Sequence, residues 1–364
     1  MHIFVDILVT IITAYLAFSN FLAGQIANLL PKPETEPLAT VEENVEETSL
    51  LPSLPSIFNT DNIPDILLKN KEYQQASVAE STQNYTTNNP LEAIVNIFCT
   101  FTTPTSIRTT TGTGFFIHSD GVILTNAHVA QYLLLEKTDL LGEAECLVRT
   151  GNPARAEYHA ELLYVPPTWV QKNAPLIDAS LPTGTGERDY ALLYVSKSVT
   201  NSPLPARFPA LAIDSSHLPI TMRGQEVKAV GYPATDLIKH GANTPLLPKI
   251  ATTSISELYT FGSNYADVFS IKGSEVGAEG SSGGPIVNKE GKVIGMIVTR
   301  GDDTTDGKGS LRAITLSHIN STIEEETRFS LERHASGNIE NRSHIFTQTL
   351  APFLTTLLSL ELKN

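Results

Sequence analysis

The sequence predicts an all-β fold with an N-terminal membrane helix and a short helical C-terminal tail. Charged residues make up only 18% of the 364 residues, and Gly and Pro together number 45 (23 and 22). From Leu91 onward, short apolar runs alternate with Gly, Pro and Asp. These features are typical of short strands joined by turns, and strands of this length suit antiparallel barrels or sandwiches.

Residues 1–24 are predicted to form a membrane anchor. Residues 3–23 are almost continuously apolar, with Asp6 their only charge, and are long enough to cross a hydrocarbon layer of ~30 Å as a helix. A cleaved signal peptide usually begins with basic residues, and none precedes this stretch, so an uncleaved anchor is favoured over a signal peptide. Lys32 is the only nearby basic residue, which leaves the orientation open.

Residues 25–90 are predicted to form an acidic, proline-containing spacer. The stretch 31–90 has ten acidic and three basic residues, which is half of the net charge of −14. Such a segment is expected to be extended and self-repelling, apart from a short helix between Ile63 and about Ala79. The acidity of the whole chain and the lack of a basic run argue against nucleic acid as a partner.

The region after Leu91 shows strands and one tight hairpin. Apolar runs flank Ser119-Asp120-Gly121, which is a strong hairpin signal. Further strand-like runs are residues 93–101, 145–149, 190–195, 226–230, 268–271, 285–287 and 292–299. In 322–364 the apolar residues follow a helical spacing that Pro352 interrupts, which predicts a tail of one or two short helices.

Two runs contain the residue types of nucleophilic catalysis. His128 follows the hairpin strand in Leu124-Thr125-Asn126-Ala127-His128-Val129, and Ser282 lies in Gly280-Ser281-Ser282-Gly283-Gly284-Pro285. A serine hydroxyl becomes a good nucleophile when a base removes its proton, and histidine can do so near neutral pH. Glycines beside the serine allow backbone N–H groups to point at a substrate oxygen, as in an oxyanion hole.

Together with Glu187-Arg188-Asp189-Tyr190-Ala191-Leu192-Leu193, these runs resemble the chymotrypsin-like (trypsin-fold) serine peptidases, and most closely the bacterial HtrA-type branch. The resemblance covers about residues 92–320 and keeps the order His, Asp, Ser. It implies that His128 is the general base, Asp189 its orienting partner and Ser282 the nucleophile. It also implies that the backbone amides of Gly280 and Ser282 form the oxyanion hole.

The resemblance further implies two Greek-key antiparallel β-barrels with the active site between them. The first would span 91–199 and contain His128 and Asp189, and the second would span 200–321 and contain Ser282. The expected reaction is hydrolysis of protein or peptide substrates through an acyl-enzyme, without a metal or organic cofactor. The oligomeric state is left open.

The sequence departs from peptidases of this kind in two ways, of which one concerns activation and the other concerns the domains that follow the peptidase domain. Animal trypsins have an aspartate just before the nucleophile that binds the new N-terminus on activation, whereas this chain has Ser281, so that activation route is not expected. HtrA proteins usually continue into PDZ domains, and the 39 residues after Glu325 are too few for one.

Substrate contacts are expected at two places that the resemblance marks. Val276 and Gly277 would form the floor of the primary specificity pocket, and neither is charged, which favours small or medium apolar residues over Lys or Arg at the cleaved position. An edge strand would add main-chain hydrogen bonds to an extended substrate. Its residues would be Met296, Ile297, Val298 and Thr299.

The two cysteines, Cys99 and Cys146, would both lie in the first barrel, where they could form a disulfide. Two buried free thiols are the alternative. A disulfide would agree with a catalytic domain outside the cytoplasm, either periplasmic or at the cell surface.

Alternative interpretations remain open. Asp178 could replace Asp189 as the third member of the catalytic group, although the apolar run after Asp189 favours the latter. The pattern Gly280-x-Ser282-x-Gly284 also fits an α/β-hydrolase, with a histidine further along the chain at 318, 334 or 344. A noncatalytic binding or adaptor protein on the same fold is the alternative from a different class.

Overall fold

The computed structural model describes residues 65–76, 83–102, 107–136, 143–177, 186–240, 244–300 and 309–362. The predicted anchor at 1–24 and the first part of the predicted spacer lie outside these ranges. Among the helices within them, none combines the length and the apolar character needed to span a membrane.

The first half of the described chain forms a closed antiparallel barrel. Its strands are β1 (Ile94–Thr102), β2 (Ile107–His118), β3 (Val122–Thr125), β4 (Glu143–Thr150), β5 (Arg155–Tyr164) and β6 (Ala191–Ser198). They follow the order β1-β2-β3-β6-β5-β4, and β4 pairs back onto β1. The predicted hairpin is confirmed as the turn between β2 and β3, where the Gly121 N–H donates to the His118 carbonyl oxygen over 3.1 Å.

The second half repeats the same topology in a second closed barrel. Its strands are β7 (Glu226–Gly231), β8 (Lys249–Tyr259), β9 (Val268–Ile271), β10 (Pro285–Val287), β11 (Val293–Arg300) and β12 (Leu311–Thr315). The order β10-β11-β12-β9-β8-β7 matches that of the first barrel, with β7 corresponding to β1. Two closed barrels exclude the α/β-hydrolase alternative, which needs a parallel sheet with covering helices.

Along the chain, short helices precede the first strand, lie between later strands and follow the last one. Those before the tail are α1 (Asp65–Lys69), α2 (Lys71–Ala76), α3 (Pro90–Ala93), α4 (Ala127–Ala130), α5 (Pro167–Asn173) and α6 (Thr235–His240), with 3₁₀ turns at Gln131–Leu134, Ala174–Leu176 and Ile220–Met222. The tail consists of α7 (Leu316–Thr327), α8 (Leu331–His334), α9 (Ile339–Thr349) and α10 (Ala351–Glu361).

The helical tail is longer than the sequence predicted. It begins at Leu316 rather than near residue 322, because the Thr315 side chain caps it by accepting a hydrogen bond from the His318 N–H over 3.1 Å directly after β12. It contains four helices rather than one or two. Pro352 lies in the first turn of α10, where a missing N–H costs nothing, so the chain starts a new helix there.

The tail packs against the first barrel. The Ser343 hydroxyl on α9 donates to the Leu162 carbonyl oxygen on β5 over 2.7 Å, and the Thr355 hydroxyl on α10 donates to the Leu134 carbonyl oxygen over 2.8 Å. The apolar residues that the helical spacing singled out are buried in this contact, and they include Phe346, Leu350, Leu354 and Leu358. First barrel and tail therefore share one apolar core, while the interior of the second barrel forms another.

Part of the predicted spacer belongs to this body. Leu67 on α1 and Tyr73 on α2 are fully buried. The Gln74 side chain donates to the carbonyl oxygen of Thr327 at the end of α7, over 3.3 Å. The short helix predicted between Ile63 and about Ala79 is found as two helices, α1 and α2, and it packs on the body instead of remaining part of a separate spacer.

Candidate active site

His128 and Asp189 meet because two neighbouring strands end at the same edge of the first barrel. Thr125 at the end of β3 pairs with Ala191 at the start of β6, so α4 and Asp189, which lies two residues before β6, come side by side. The His128 ring Nδ1 lies 2.7 Å from Asp189 Oδ2. The His128 backbone N–H donates to the other carboxylate oxygen of Asp189 over 3.0 Å, so one carboxylate fixes both the ring and the backbone of the histidine.

The environment of this couple sets the protonation of His128. Burial lowers the pKa of His128, and the nearby Asp189 carboxylate raises it by charge and by hydrogen bonding, so that the pKa lies above its usual value of ~6.5. The Asp189 side chain is only 7% exposed. The main-chain carbonyl oxygen of Asp189 accepts a hydrogen bond from the Asn126 side-chain amide over 2.8 Å, which also fixes the Asp189 backbone. Asp178, the alternative acid, lies outside the described residues.

The loop around Ser282 needs its glycines. Gly280 has a φ of +89° and Gly283 has a φ of +86°, which side chains with a Cβ rarely adopt. A Cβ on Gly280 would come within 2.6 Å of the Tyr232 carbonyl oxygen, and one on Gly283 within 1.9 Å of the Thr113 carbonyl oxygen. The glycines therefore allow the loop to pack directly against the backbone of both barrels.

This packing turns two backbone N–H groups outwards. The Glu279 carbonyl oxygen accepts from the Ala234 N–H over 2.7 Å, which directs the N–H of the same peptide, on Gly280, to the opposite side. The Ser281 carbonyl oxygen accepts from the Gly284 N–H over 2.9 Å, which does the same for the Ser282 N–H. Within the described ranges neither N–H donates to a protein acceptor, so both can bind a substrate oxygen.

The Ser282 hydroxyl donates to the Val298 carbonyl oxygen over 3.5 Å. In the part of the chain that the structure describes, no hydrogen bond joins this hydroxyl to His128. Catalytic hydrogen bonds are often long or absent before substrate binds. The histidine and aspartate are thus paired with each other, while the serine hydroxyl is paired with the Val298 carbonyl oxygen.

Thr113 is a residue of this site that the sequence motifs did not reveal. Its hydroxyl donates to the Gly280 carbonyl oxygen over 2.6 Å and accepts from the Tyr232 N–H over 2.9 Å. Its own N–H donates to the Ser282 carbonyl oxygen over 2.7 Å. A threonine of the first barrel therefore holds the serine loop at two points. A polar side chain between two glycines, in the strand before the hairpin, was the available signal.

The residues expected to bind substrate are only partly at an accessible edge. Met296 pairs with Pro285 of β10 on one side and with Ile314 of β12 on the other. Ile297 exchanges backbone hydrogen bonds with Gly283 and Gly284. Met296 and Ile297 are therefore inside the sheet, which corrects the expectation that they lie at its edge.

The free edge of β11 starts at Val298, one residue after Ile297. On the side facing the Ser282 loop, no described strand pairs with Val298 or Thr299. Val276 is fully buried and Gly277 is buried, and a Cβ on Gly277 would lie 3.1 Å from Leu311 Cδ2. Leu311 is itself only 1% exposed, so it fills the space beside Gly277.

Ser281, the residue before Ser282, is 1% exposed and uncharged.

The two cysteines face each other in the register of β1 and β4 and form a disulfide, with 4.0 Å between their Cα atoms.

Paired six-stranded antiparallel barrels of this topology are characteristic of the chymotrypsin-like serine peptidases, and this chain is one of them. It belongs to the trypsin-like peptidase domain family, whose sequence pattern matches residues 112–296, just over half of the chain.

Two solved structures that are similar to this chain are of Rv3671c from Mycobacterium tuberculosis. The inactive form, a serine-to-alanine mutant, is 18% identical, covers 69% of this chain and 98% of that one, and has a TM-score of 0.38. The active form of the Rv3671c protease is 20% identical, with coverages of 68% and 88% and a TM-score of 0.39. No curated protein matches the sequence significantly.

Proposed function

We propose that the protein is a serine endopeptidase in which His128, Asp189 and Ser282 form the catalytic triad. The observation that carries this is the Asp189 carboxylate, which accepts from the His128 backbone and lies 2.7 Å from the His128 ring. Asp189 keeps the proton on Nδ1, so that Nε2 is the basic nitrogen. The raised pKa of His128 makes it a stronger base than a free histidine.

The reaction then follows in two halves. His128 takes the Ser282 proton as Oγ attacks the substrate carbonyl carbon, and the Gly280 and Ser282 N–H groups stabilise the negative oxygen that develops. His128 returns the proton to the leaving amine as the peptide bond breaks, which leaves an acyl group on Oγ. Water, deprotonated by His128, releases this acyl group as a carboxylic acid and restores the serine.

The proposed substrates have a small or medium apolar residue at the cleaved position. Three uncharged residues support this preference, since Leu311 fills the space beside Gly277, and Val276 next to it is buried. Neither Val276 nor Gly277 would offer a charge to a long basic side chain. An extended peptide would add main-chain hydrogen bonds along Val298 and Thr299.

The proposed location is outside the cytoplasm, with the catalytic domain attached to a membrane by residues 1–24. The apolar run at 3–23 and the disulfide between Cys99 and Cys146 support it, because disulfides persist in oxidising compartments. The substrates would then be extracytoplasmic proteins.

Labelling by an active-site-directed fluorophosphonate, together with a peptide-library cleavage profile, tests this function. We expect the label on Ser282 in the full chain, no label on Ser282→Ala, and labelling slowed by several orders of magnitude in His128→Ala. The double variant should turn over peptides about as slowly as either single variant, because triad members act as a unit.

Two outcomes would contradict the proposal. Near-normal cleavage by Ser282→Ala would show that another residue is the nucleophile. Absence of label on the folded full chain would instead support the noncatalytic binding protein. A cleavage profile dominated by Arg would overturn only the proposed preference.

A further inference from the structure

Arg188, the residue before Asp189, is held by the C-terminal tail. Its Nη1 donates to Glu326 Oε1 over 2.7 Å and its Nη2 donates to Glu325 Oε2 over 2.7 Å. Both glutamates lie on α7, which follows the second barrel. The side chain of Glu326 is 5% exposed and that of Glu325 is 69% exposed, so the two ion pairs with the same guanidinium differ sharply in burial.

Glu326 is itself fixed by the first barrel and by α5. Its carboxylate accepts from the hydroxyl of Tyr164 on β5 and, over 2.8 Å, from the hydroxyl of Thr168 on α5. With Arg188 as third donor, this buried carboxylate has partners on both of its oxygens. A buried charge with that many partners has little freedom to move, so it holds the guanidinium in one place.

The same helix also holds the residue on the other side of Asp189. The Thr322 hydroxyl on α7 donates to the Tyr190 hydroxyl over 3.0 Å, and Tyr190 is fully buried. Arg188 has a φ of 57°, in the left-handed region that residues with a side chain adopt only when their surroundings require it. The ion pair with Glu326 supplies such a requirement.

We propose that Glu326 is a positioning residue for catalysis, which acts through Arg188 to hold the Asp189 backbone where its carboxylate meets His128. The proposal rests on the triad role assigned to Asp189 and His128 above. It also gives the C-terminal tail a function, since α7 joins the tail to the active site. Without the ion pair between Arg188 and Glu326, Arg188 can leave its left-handed conformation. The Asp189 carboxylate is then no longer held within hydrogen-bond distance of the His128 ring.

The test compares Glu326→Gln with Glu325→Gln in the full chain, by kcat, KM and the pH profile of kcat/KM per labelled active site. Each variant removes the negative charge of one of the two glutamates that pair with the Arg188 guanidinium. We expect Glu326→Gln to lower kcat about 10- to 100-fold with little change in KM, as for a misplacement of catalytic groups by about 1 Å. Its acid half-point should move to lower pH, because His128 loses contact with Asp189. Glu325→Gln should change kcat less than about twofold, as expected for an exposed ion pair.

A second comparison keeps the proposal testable if Glu326→Gln does not fold. The double variant Arg188→Met with Glu326→Gln removes one charge of each sign and keeps a side-chain oxygen at position 326 that can accept from the buried Tyr164 hydroxyl, so neither a buried charge nor a buried hydroxyl is left without a partner. We expect it to melt near the wild-type temperature but to show the same loss of kcat.

The two proposals fail in different ways. The positioning role would be overturned if the folded double variant kept the wild-type kcat and the wild-type acid half-point of kcat/KM. Equal effects of Glu326→Gln and Glu325→Gln would overturn it as well. In both cases cleavage would still depend on Ser282. Cleavage that does not depend on Ser282 would overturn the proposed function itself.

Discussion

At the scale of single residues, the pH dependence of activity follows from the His128–Asp189 couple. In the proposed mechanism His128 must be neutral to accept the serine proton, so activity should rise with pH as the imidazolium form of the ring loses a proton. Because Asp189 raises the pKa of His128 above its usual value despite burial, the acid half-point of kcat/KM should lie above ~6.5.

The Asp189→Asn variant tests this cause. Only the lowering effect of burial would remain, so the half-point should fall below ~6.5, and kcat should drop by about 10⁴-fold because the wrong tautomer is favoured. NMR titration of the His128 ring measures the same pKa independently of turnover. An unchanged ring pKa would contradict the coupling.

Thr113 gives a second prediction at this scale. Thr113→Val keeps the shape but leaves the Gly280 carbonyl without its donor and the Tyr232 N–H without its acceptor, which should cost about 1–3 kcal/mol of stability. The loop around Ser282 should also loosen, and kcat should fall by about tenfold. Urea denaturation and steady-state kinetics measure both effects.

Two variants serve as controls for Thr113→Val, one at the same position and one on the same strand. Thr113→Ser restores the hydroxyl and should regain most of the activity. Thr109→Val changes an exposed residue of the same strand and should have little effect. If Thr113→Val resembled Thr109→Val, the hydroxyl would have no role in holding the loop.

At the scale of secondary structure elements, the disulfide connects β1 to β4 across the closure of the first barrel. The two cysteines are 47 positions apart, for which the chain-entropy model gives about 4 kcal/mol of stabilisation. We expect the native protein to be lighter by two hydrogens than its reduced form, and digestion to yield one peptide pair linked through Cys99 and Cys146.

A Cys99→Ser, Cys146→Ser variant should unfold at a clearly lower urea concentration than the oxidised protein, and equally with or without reductant. Alkylation of both thiols in unreduced native protein would contradict the disulfide and remove its support for an extracytoplasmic domain.

At the scale of the whole molecule, the residues before the barrels contribute to stability. Leu67 on α1 is 1% exposed and α1 packs against α7, so Leu67→Ala should lower the free energy of unfolding by about 2–5 kcal/mol. Lys69→Ala on the same helix, where the side chain is 74% exposed, should change it little. Denaturation of the full chain measures both, and equal effects would mean that α1 does not pack on the body in solution.

The sequence by itself identified the hairpin, most of the strands and three residues of the candidate site, His128, Asp189 and Ser282. Alternation of apolar residues, turn residues and glycine-rich runs are local patterns, and local patterns can be read without knowing which segments meet. His128, Asp189 and Ser282 were recognisable for this reason, since each lies in a short motif of its own.

Three strands, namely β5, β8 and β12, were not predicted from the sequence. The first three residues of β5 are exposed, and β8 has three consecutive polar residues, Thr252, Thr253 and Ser254, in its middle, so neither strand shows a clear apolar run. Their strand conformation comes from pairing with neighbours on both sides, which depends on the closure of each barrel rather than on intrinsic preference.

Only the tertiary structure decided which parts of the site touch. Whether Met296 lies at a free edge depends on strands β10 and β12, and the hydrogen bond from Thr113 to Gly280 joins residues 167 positions apart. Likewise, the ion pair between Arg188 and Glu326 spans 138 positions. Hydrogen bonds between distant segments leave no periodic trace in the chain, because they are fixed by how the two barrels and the tail pack together.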